Sequence, residues 1–437
     1  MRNRSSVALG FIALILIGAV MLSAPWSRAA GVWGDFPAAL FTACSAVCVT
    51  GLTVVDIARE YTTVGQVTLL VLVEVGCLGL MTCGTFLLIA VGRRLSLSRE
   101  FTLMNAYGVA KVQGLKDLIC WVIGSMLVIE LIGAAALYCR FHDAYRSVFY
   151  SVMGFCNAGF SLRADSLAQF AHDPVTLLVM AFETILGGIG FLVIYNLCTF
   201  KFRRRSSGGK GRLSLHSRVV LRYTLWLLAI TFVLVLFLEW NGALKGMSFW
   251  DRMAVGFYQS VTPRTCGFCV VPTESLRPMT RLVYETLMFI GGAPGSAAAG
   301  IKVTTLAVLI CTLTAMCRGE EETIVSRRVV PLEIVRESIV IVTALLALIL
   351  LVAGALFLTE EGGGIPHEAL VFEAVSAITT TGLSVGDTTA SLSPAGRAVI
   401  MVAMFFGRLG ALTVVMMIGD RESTRHVRYP TEELVVG

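Results

Sequence analysis

The chain has 437 residues, of which 56% are hydrophobic and only 15% charged, and its mean hydropathy is +0.80. This composition excludes a soluble globular protein and is typical of an integral membrane protein. The formal net charge of +6 comes largely from basic segments beside apolar runs. Such segments usually fix membrane topology, so the charge does not indicate nucleic-acid binding.

Eight apolar runs are long enough to cross a bilayer, which takes about 20 helical residues. In chain order they cover residues 7–24, 62–92, 117–138, 173–200, 218–239, 280–316, 336–357 and 393–419. The first run follows two arginines and precedes the string SRAAG, so a cleaved signal peptide is an alternative interpretation. Its loss would leave the first of the four sequence repeats described below without its first span. We therefore predict that this run is retained.

A short motif recurs four times between these runs. The copies read FTACSAVCVTGLTVVD, FYSVMGFCNAGFSLRAD, FYQSVTPRTCGFCVVP and FEAVSAITTTGLSVGD, and they surround Gly51, Gly159, Gly267 and Gly382. Each copy also has a phenylalanine ten residues before its glycine: Phe41, Phe149, Phe257 and Phe372. The glycines follow one another at intervals of 108, 108 and 115 residues, and such regularity indicates one unit used four times.

Each copy predicts a helix too short to cross a bilayer, followed by a turn at a glycine that can adopt φ > 0. Irregular backbone at membrane depth is tolerated where protein or a water-filled path satisfies it. Four such turns would form a ring of carbonyl oxygens, which can replace the hydration shell of a potassium ion. Four ordinary glycine turns are the alternative. The predicted filter residues are Val49, Thr50, Gly51, Asn157, Ala158, Gly159, Thr265, Cys266, Gly267, Thr380, Thr381 and Gly382.

The predicted fold is an all-α integral membrane protein with eight full spans. Four tandem helix–pore helix–helix repeats would surround a central ion pore with pseudo-fourfold symmetry. The predicted repeats cover residues 1–95, 96–202, 203–322 and 323–437. Lysines and arginines number 22 on the side of the amino terminus and 11 in the segments that hold the glycine turns. The positive-inside rule therefore predicts that both termini are cytoplasmic.

The third repeat departs from the pattern in its second span. The run 280–316 is too long for one span and contains the string GGAPGSAAAGIK. Because proline and glycine both weaken a helix, we predict two helical pieces joined by an intramembrane gate loop beneath the filter. A proline kink is the alternative. The candidate gate residues are Gly291, Gly292, Pro294, Gly295, Ser296, Gly300, Lys302 and Arg408.

Lys302 and Arg408 are ionisable groups inside predicted spans, where a charge is costly without a partner. Two interpretations of Arg408 remain open. It could form an ion pair with Glu74, Glu183 or Glu285, or it could be a cationic constriction in the ion path.

Little in the sequence favours a cofactor, a tightly bound metal or an enzyme. The twelve cysteines are scattered, and the five histidines lie in loops or at the ends of spans, so no four-ligand zinc set is evident. The spans hold isolated charges and lack converging nucleophiles and bases. There is also no glycine-rich nucleotide loop, so we expect any nucleotide regulation to come from a separate chain.

These motifs resemble the Trk/Ktr/HKT superfamily of potassium transporters, and the resemblance covers nearly the whole chain. It is carried by VTGL (49–52), NAGF (157–160), RTCGF (264–268), TTGLS (380–384), GGAPGSAAAGIK (291–302) and GRLGALT (407–413). The first repeat comes without the two additional amino-terminal helices of the Trk branch. We therefore expect the chain to be most similar to the bacterial Ktr-type ion-translocating membrane subunit.

The resemblance implies potassium uptake across the bacterial cell membrane, with sodium as a second candidate ion. It also implies a homodimer seated on a cytosolic ring of nucleotide-binding regulatory subunits, a gating role for the loop, and Arg408 in the ion path. Gly51 favours potassium, because a serine there is associated with sodium preference in the plant branch. Two departures are Cys266 in place of the commoner alanine, and the alanines of the loop where hydroxyl residues and glycine are frequent.

Two transport mechanisms are compatible with these features. In a channel-like mechanism the membrane potential drives uptake, since moving one charge is worth about 2.3 kcal/mol per 100 mV. A secondary symporter would couple potassium to sodium or protons, and many such transporters show inverted repeats with paired broken helices. The four repeats are predicted to be parallel around one axis, which favours the channel-like mechanism.

Overall fold

The computed structural model describes residues 2–79, 115–206 and 213–410. Helices dominate this part of the chain, and its one β-hairpin pairs β1 (Ile324–Val325) with β2 (Arg328–Val329) in antiparallel register. The helices are α1 (Arg2–Ser23), α2 (Phe36–Val47), α3 (Ile57–Glu60), α4 (Thr63–Leu78), α5 (Leu115–Phe141), α6 (Ala144–Phe155), α7 (Pro174–Ile189), α8 (Phe191–Ser206), α9 (Leu215–Glu239), α10 (Phe249–Val261), α11 (Pro278–Phe289), α12 (Val303–Cys317), α13 (Leu332–Thr359), α14 (His367–Ile378), α15 (Thr388–Ser391) and α16 (Pro394–Leu409).

Four of these helices, which we call the short helices, are α2, α6, α10 and α14. With 12 or 13 residues each, they span roughly 20 Å at 1.5 Å per residue, too little to cross a bilayer. Side chains cap two of them: Asp143 accepts the amide of Arg146 at 3.2 Å, and Ser248 accepts that of Asp251 at 3.2 Å. The motif phenylalanines anchor them, with Phe41, Phe149 and Phe372 buried and Phe257 half-buried.

Three helices among the described residues are long and apolar enough to cross a bilayer singly: Ile119–Phe141, Leu215–Glu239 and Leu332–Thr359. Large apolar side chains cover their outer faces, including Phe237 at 81% exposure and Leu358 at 77%. Such faces are what lipid contact requires. A fourth span results if α7 and α8 are counted as one broken segment. The eight full spans therefore stay a prediction.

The apolar run predicted to span over 173–200 is not one straight helix, because the helix breaks at Gly190. Helices α7 and α8 meet there at an angle of 98°. Gly190 has φ +92°, and a Cβ added to it would lie 2.8 Å from the carbonyl oxygen of Pro294. The left-handed backbone and the close approach both require glycine. The sequence hides this break, since the residues around it are as apolar as a helix interior.

Two further helices end at glycines with nearly the same backbone. Gly79 (φ +76°) directly follows the last residue of α4, and Gly410 (φ +84°) directly follows that of α16. The runs predicted over 62–92 and 393–419 continue into residues 80–92 and 411–419, which lie outside the described residues. In the third repeat, α11 ends at Phe289 and α12 begins at Val303. An irregular segment, 291–302, lies between them, and a bridge between Ile290 and Ile301 closes its base.

Candidate ion pathway

Each short helix leads into a turn with one repeated backbone pattern, and we call these the four glycine turns. Their glycines have φ values of +92° (Gly51), +71° (Gly159), +79° (Gly267) and +86° (Gly382). The residue two positions earlier also has positive φ, at Val49, Asn157, Thr265 and Thr380. Positive φ is uncommon outside glycine. Its recurrence at four matching positions shows that the same backbone strain is present in all four turns, which makes them the candidate functional site.

The four glycine turns contact one another in a closed ring. A Cβ added to Gly51 would overlap the carbonyl oxygen of Ala158 in the second turn. At Gly159 the added atom would lie 2.9 Å from the carbonyl oxygen of Cys266, and at Gly267 it would lie 2.5 Å from that of Thr381. At Gly382 it would overlap the carbonyl oxygen of Thr50, which returns to the first turn. All twelve predicted filter residues therefore lie in these turns, around one centre.

Hydroxyl groups hold the first and fourth turns in the same way. The amide of Gly51 donates to Ser45 Oγ at 3.0 Å, and the amide of Gly382 donates to Ser376 Oγ at 3.1 Å. Both serines are fully buried and lie on the preceding short helices. The protein itself thus satisfies these two amides, and no backbone amide of the described residues donates to the carbonyl groups of Thr50 or Thr381.

The second and third turns use larger side chains. Tyr150 Oη lies 2.9 Å from Ser161 Oγ, and Thr262 donates to the carbonyl of Phe268. The thiol of Cys266 lies 3.2 Å from Thr184 Oγ1 and 3.7 Å from Tyr258 Oη. The unusual Cys266 side chain is thus held within the protein. A ligand role at this position would therefore fall to its backbone carbonyl.

A cavity of ≈ 370 Å³, which we call the mouth cavity, lies on the side of the glycine turns where the chain leaves them. All four turn glycines line it. Each glycine turn also contributes one acidic residue from the following segment: Asp56, Asp165, Glu274 and Asp387. Arg163 is the one basic residue among the lining groups. These carboxylates were not among the predicted site residues, although an acid five to seven residues after every turn glycine is visible in the sequence.

Ion pairs fix the segments around this mouth. Arg140 forms a two-pronged contact with Asp173, with N–O distances of 3.0 and 3.1 Å. Burial opposes ionisation of Asp173, but hydrogen bonds from Thr176 and Arg140 outweigh it and lower the pKa of that carboxyl. His172 lies 2.9 Å from Asp251 at the start of α10, and this hydrogen bond lowers the pKa of Asp251. The Arg140–Asp173 contact joins α5 to the start of α7 within the second repeat, and the His172–Asp251 contact ties the second repeat to the third.

The 291–302 segment, which we call the gate loop, packs against the break between α7 and α8. The amide of Ala293 donates to Gly188 O at 2.9 Å, and the amide of Ala297 donates to Gly187 O at 3.3 Å. In return, Phe191 donates its amide to Gly295 O at 3.0 Å. The break at Gly190 thus supplies hydrogen-bond partners that the gate loop lacks internally. A Cβ added to Gly187 would overlap Phe155 O and lie 3.2 Å from the side-chain amide of Asn157, so Gly187 contacts both the gate loop and the second glycine turn.

The gate candidates within the loop are contiguous in space. Ser296 donates to Ala293 O at 2.6 Å, which closes the tight bend after Pro294. Gly295 and Gly300 both have positive φ. Gly291 and Gly292 have no room for a Cβ, because Ala299 O and Gly188 O occupy that space. The remaining gate candidate, Arg408, reaches the gate loop from α16.

Arg408 and Lys302 both donate to backbone carbonyls. Arg408 Nη1 donates to Ala297 O at 2.6 Å, and its Nη2 donates to Gly76 O and, at 3.2 Å, to Cys77 O. Lys302 Nζ donates to Ala298 O at 2.6 Å. Among the ion pairs of the described residues, neither cation has a carboxylate partner. The ion-pair interpretation of Arg408 is therefore wrong: this arginine links the gate loop to α4.

The carboxylates offered as partners for Arg408 lie elsewhere. Glu183 accepts a hydrogen bond from Ser151. Glu74 groups with Glu130 and Cys156, whose ligand atoms all lie within 4.8 Å of one another. Three such ligands fall short of a closed tetrahedral zinc set. The cysteines that the structure describes are all free thiols.

Comparisons with known proteins match this architecture. Residues 14–426 match the TrkH family, described as a cation transport protein. The Ktr system potassium uptake protein B of Bacillus subtilis is 36% identical over 99% of this chain and 96% of its own length. The potassium/sodium uptake protein NtpJ of Enterococcus hirae is 33% identical over the same shares. Among solved structures, the potassium transporter TrkH from Vibrio parahaemolyticus matches with a TM-score of 0.72 at 17% identity, covering 94% of this chain and 84% of that one.

Proposed function

Because this chain belongs to the TrkH cation transport family, we propose that it takes up potassium through a channel-like, potassium-selective path. The observation that carries this proposal is the closed ring of four glycine turns beneath the mouth cavity. The names of the similar uptake proteins support potassium as the substrate. Sodium is the second candidate ion.

The ring provides the chemistry that a dehydrated potassium ion needs. Four carbonyl groups, from Thr50, Ala158, Cys266 and Thr381, each face the next glycine around the ring. Rings of carbonyl oxygens replace the hydration shell of the ion. The four short helices end at this ring, and each helix carries about half a negative charge at its carboxyl end. That charge stabilises a cation at the centre without a carboxylate.

The gate loop and Arg408 would interrupt the path below the ring. Arg408 donates to the gate loop at Ala297 and to α4 at Gly76, so it fastens the gate loop across the protein. A fixed guanidinium near the path also repels an approaching cation. In this proposal the observed arrangement is closed, and opening requires the gate loop to leave Arg408.

The proposed assembly is the one that the sequence predicts. We propose a multi-pass protein of the bacterial cell membrane with four parallel repeats, both termini in the cytoplasm and the glycine turns towards the outside. It would form a homodimer and bind a cytosolic ring of nucleotide-binding subunits through its basic loops. Growth of a potassium-uptake-deficient bacterium at low potassium, with and without such a ring co-expressed, tests this proposal. Failure of both strains to grow, with the protein present in the membrane, would count against it.

A secondary symporter is the alternative. It requires a second site for sodium or protons that alternates in access with the first. The closed ring that the four glycine turns form supports the channel-like path. Flux that follows the potassium gradient alone distinguishes the two mechanisms.

We expect the isolated chain to bind neither ATP nor ADP, because it contains no glycine-rich nucleotide loop. Equilibrium dialysis of detergent-solubilised protein with labelled nucleotide measures this directly. The same protein should co-purify with a cytosolic partner that does bind nucleotide. Micromolar binding of ATP by the isolated chain would contradict the separate-subunit arrangement.

Replacing an acidic residue of the mouth cavity should weaken the apparent affinity for potassium at low ionic strength. A charge about 8 Å from the ion path contributes about 0.5 kcal/mol in water, or roughly a twofold change in KM for each of Asp56→Asn and Asp387→Asn. Salt shortens the Debye length, so the effect should vanish in high choline chloride. Glu361→Gln, at an exposed residue outside the cavity, is the control. A KM change that persists in high salt would argue against an electrostatic role.

A further inference from the structure

Arg264 belongs to the third glycine turn and also contacts the gate loop. It lies three residues before Gly267 and is 8% exposed. Its amide bonds to Val261 O at 3.1 Å, which places it directly after α10. Its Nη2 donates to Gly291 O, the first residue of the gate loop, at 3.3 Å. One side chain therefore connects the two parts of the ion path.

The other three repeats serve as internal comparisons. At the position three residues before the turn glycine they carry Cys48, Cys156 and Thr379. The first two have thiols and the third has a small hydroxyl, so none can reach as far as a guanidinium. The helices that follow these turns end at Gly79, Gly190 and Gly410. The arginine thus occurs in the same repeat as the gate loop.

Arg264 has few other partners. Within the described part of the chain it forms no ion pair, and its Nε donates to no acceptor. The cavity beside it measures only ≈ 10 Å³ and is lined by Thr184, Gly188 and Gly292, among others. The guanidinium therefore has no room to turn to a new acceptor. Because a buried charge without a partner is costly, displacing Gly291 would be resisted at Arg264.

We propose that Arg264 is a positioning residue that couples the gate loop to the third glycine turn. This inference rests on the proposed filter and gate. When the gate loop moves away from its observed position, Arg264 loses its hydrogen bond to the Gly291 carbonyl. The third glycine turn then loses its contact with the gate loop. Coupling between two sites is reciprocal. An ion held in the ring therefore favours one arrangement of the gate loop, and that arrangement favours one geometry of the ring.

The first test measures potassium-analogue flux and selectivity in liposomes that contain the purified full-length protein. Arg264→Gln should raise rubidium flux about tenfold, as expected for loss of a hydrogen bond from a charged donor. The same variant should lower the rubidium/sodium flux ratio, which a purely structural role in the gate loop would leave unchanged. Arg264→Lys keeps the charge and a donor, so it should recover part of both values.

Arg252→Gln is the matched control, because Arg252 lies at the opposite end of the same short helix. Its Nε donates to a backbone carbonyl, Met247 O, at 3.0 Å, and it has no contact with the gate loop. We expect Arg252→Gln to leave both flux and selectivity unchanged. Equal effects of Arg252→Gln and Arg264→Gln would overturn the inference.

The decisive test combines Arg264→Gln with deletion of Ala297–Ala299. If the arginine acts through the gate loop, adding Arg264→Gln to the shortened protein should change flux less than twofold. If the deletion and Arg264→Gln instead multiply in their effects on flux, the proposed coupling is overturned. If Arg264→Gln does not fold, the same comparison is made with Arg264→Lys, whose smaller effect should also disappear. If the wild-type protein is selective for rubidium over sodium and the Arg264 variants behave like it, this inference alone is refuted. If the wild-type protein is not selective, the proposed function is refuted.

Discussion

Replacing any turn glycine with serine should lower the potassium/sodium flux ratio by about tenfold or more. At Gly382 the new Cβ would overlap the carbonyl oxygen of Thr50, and at Gly51 that of Ala158. The φ values of +86° and +92° add backbone strain that a serine cannot relieve. Each ~1.4 kcal/mol of lost preference for potassium is a factor of ten. Competing rubidium and sodium fluxes into liposomes measure the ratio.

Gly246→Ser is the matched control for this prediction. Gly246 also has positive φ, at +89°, but nothing lies within 4 Å of an added Cβ. The control therefore carries the same backbone strain without the overlap with a carbonyl of the ring. We expect it to leave the flux ratio unchanged. If all four serine variants keep the wild-type flux ratio, the glycine turns do not form the filter.

Deleting Ala297–Ala299 should give faster uptake that no longer depends on a partner subunit. The deletion removes the carbonyl groups that accept from Arg408 and Lys302. A hydrogen bond from a charged donor contributes about 1.5–3 kcal/mol, so its loss should shift the gate towards opening by about tenfold or more. Selectivity should change little, because the deletion keeps Gly291, the acceptor of Arg264, and all four glycine turns. Rubidium uptake with and without the cytosolic partner measures both effects.

Deletion of Gly362–Gly364 is the control for chain shortening. Those residues are exposed between α13 and α14, and added Cβ atoms at Gly362 and Gly364 would meet nothing. Uptake by this control should keep the wild-type rate. If the shortened gate loop leaves uptake unchanged or slower at normal expression, the gate loop does not close the path.

The sequence predicted the family and the turn positions well, and the reason is repetition. Four copies of one motif remove the ambiguity of a single glycine turn, and the resemblance to the family is confirmed by the match over residues 14–426. The position of the gate loop also followed from local chemistry, since Pro294 and four nearby glycines cannot continue a helix.

Contacts between distant segments could not be predicted in the same way. The break at Gly190 depends on Pro294 O, which lies more than 100 residues away in the chain. The acceptors of Arg408 are backbone carbonyls, and any residue supplies a carbonyl, so no sequence pattern marks them. A search for opposite charges therefore pointed to Glu74, Glu183 and Glu285 instead. Arg264 was passed over because it stands within a filter motif.

The reversal potential of the current through the reconstituted protein, with opposed potassium and sodium gradients, distinguishes a potassium-selective channel from a coupled symporter. A path selected by the ring of glycine turns predicts a shift of about 59 mV for each tenfold change in the potassium gradient. Changing the sodium or proton gradient alone should not shift the reversal potential. A reversal potential that moves with either of those gradients, as coupled symport requires, would rule out the channel-like path.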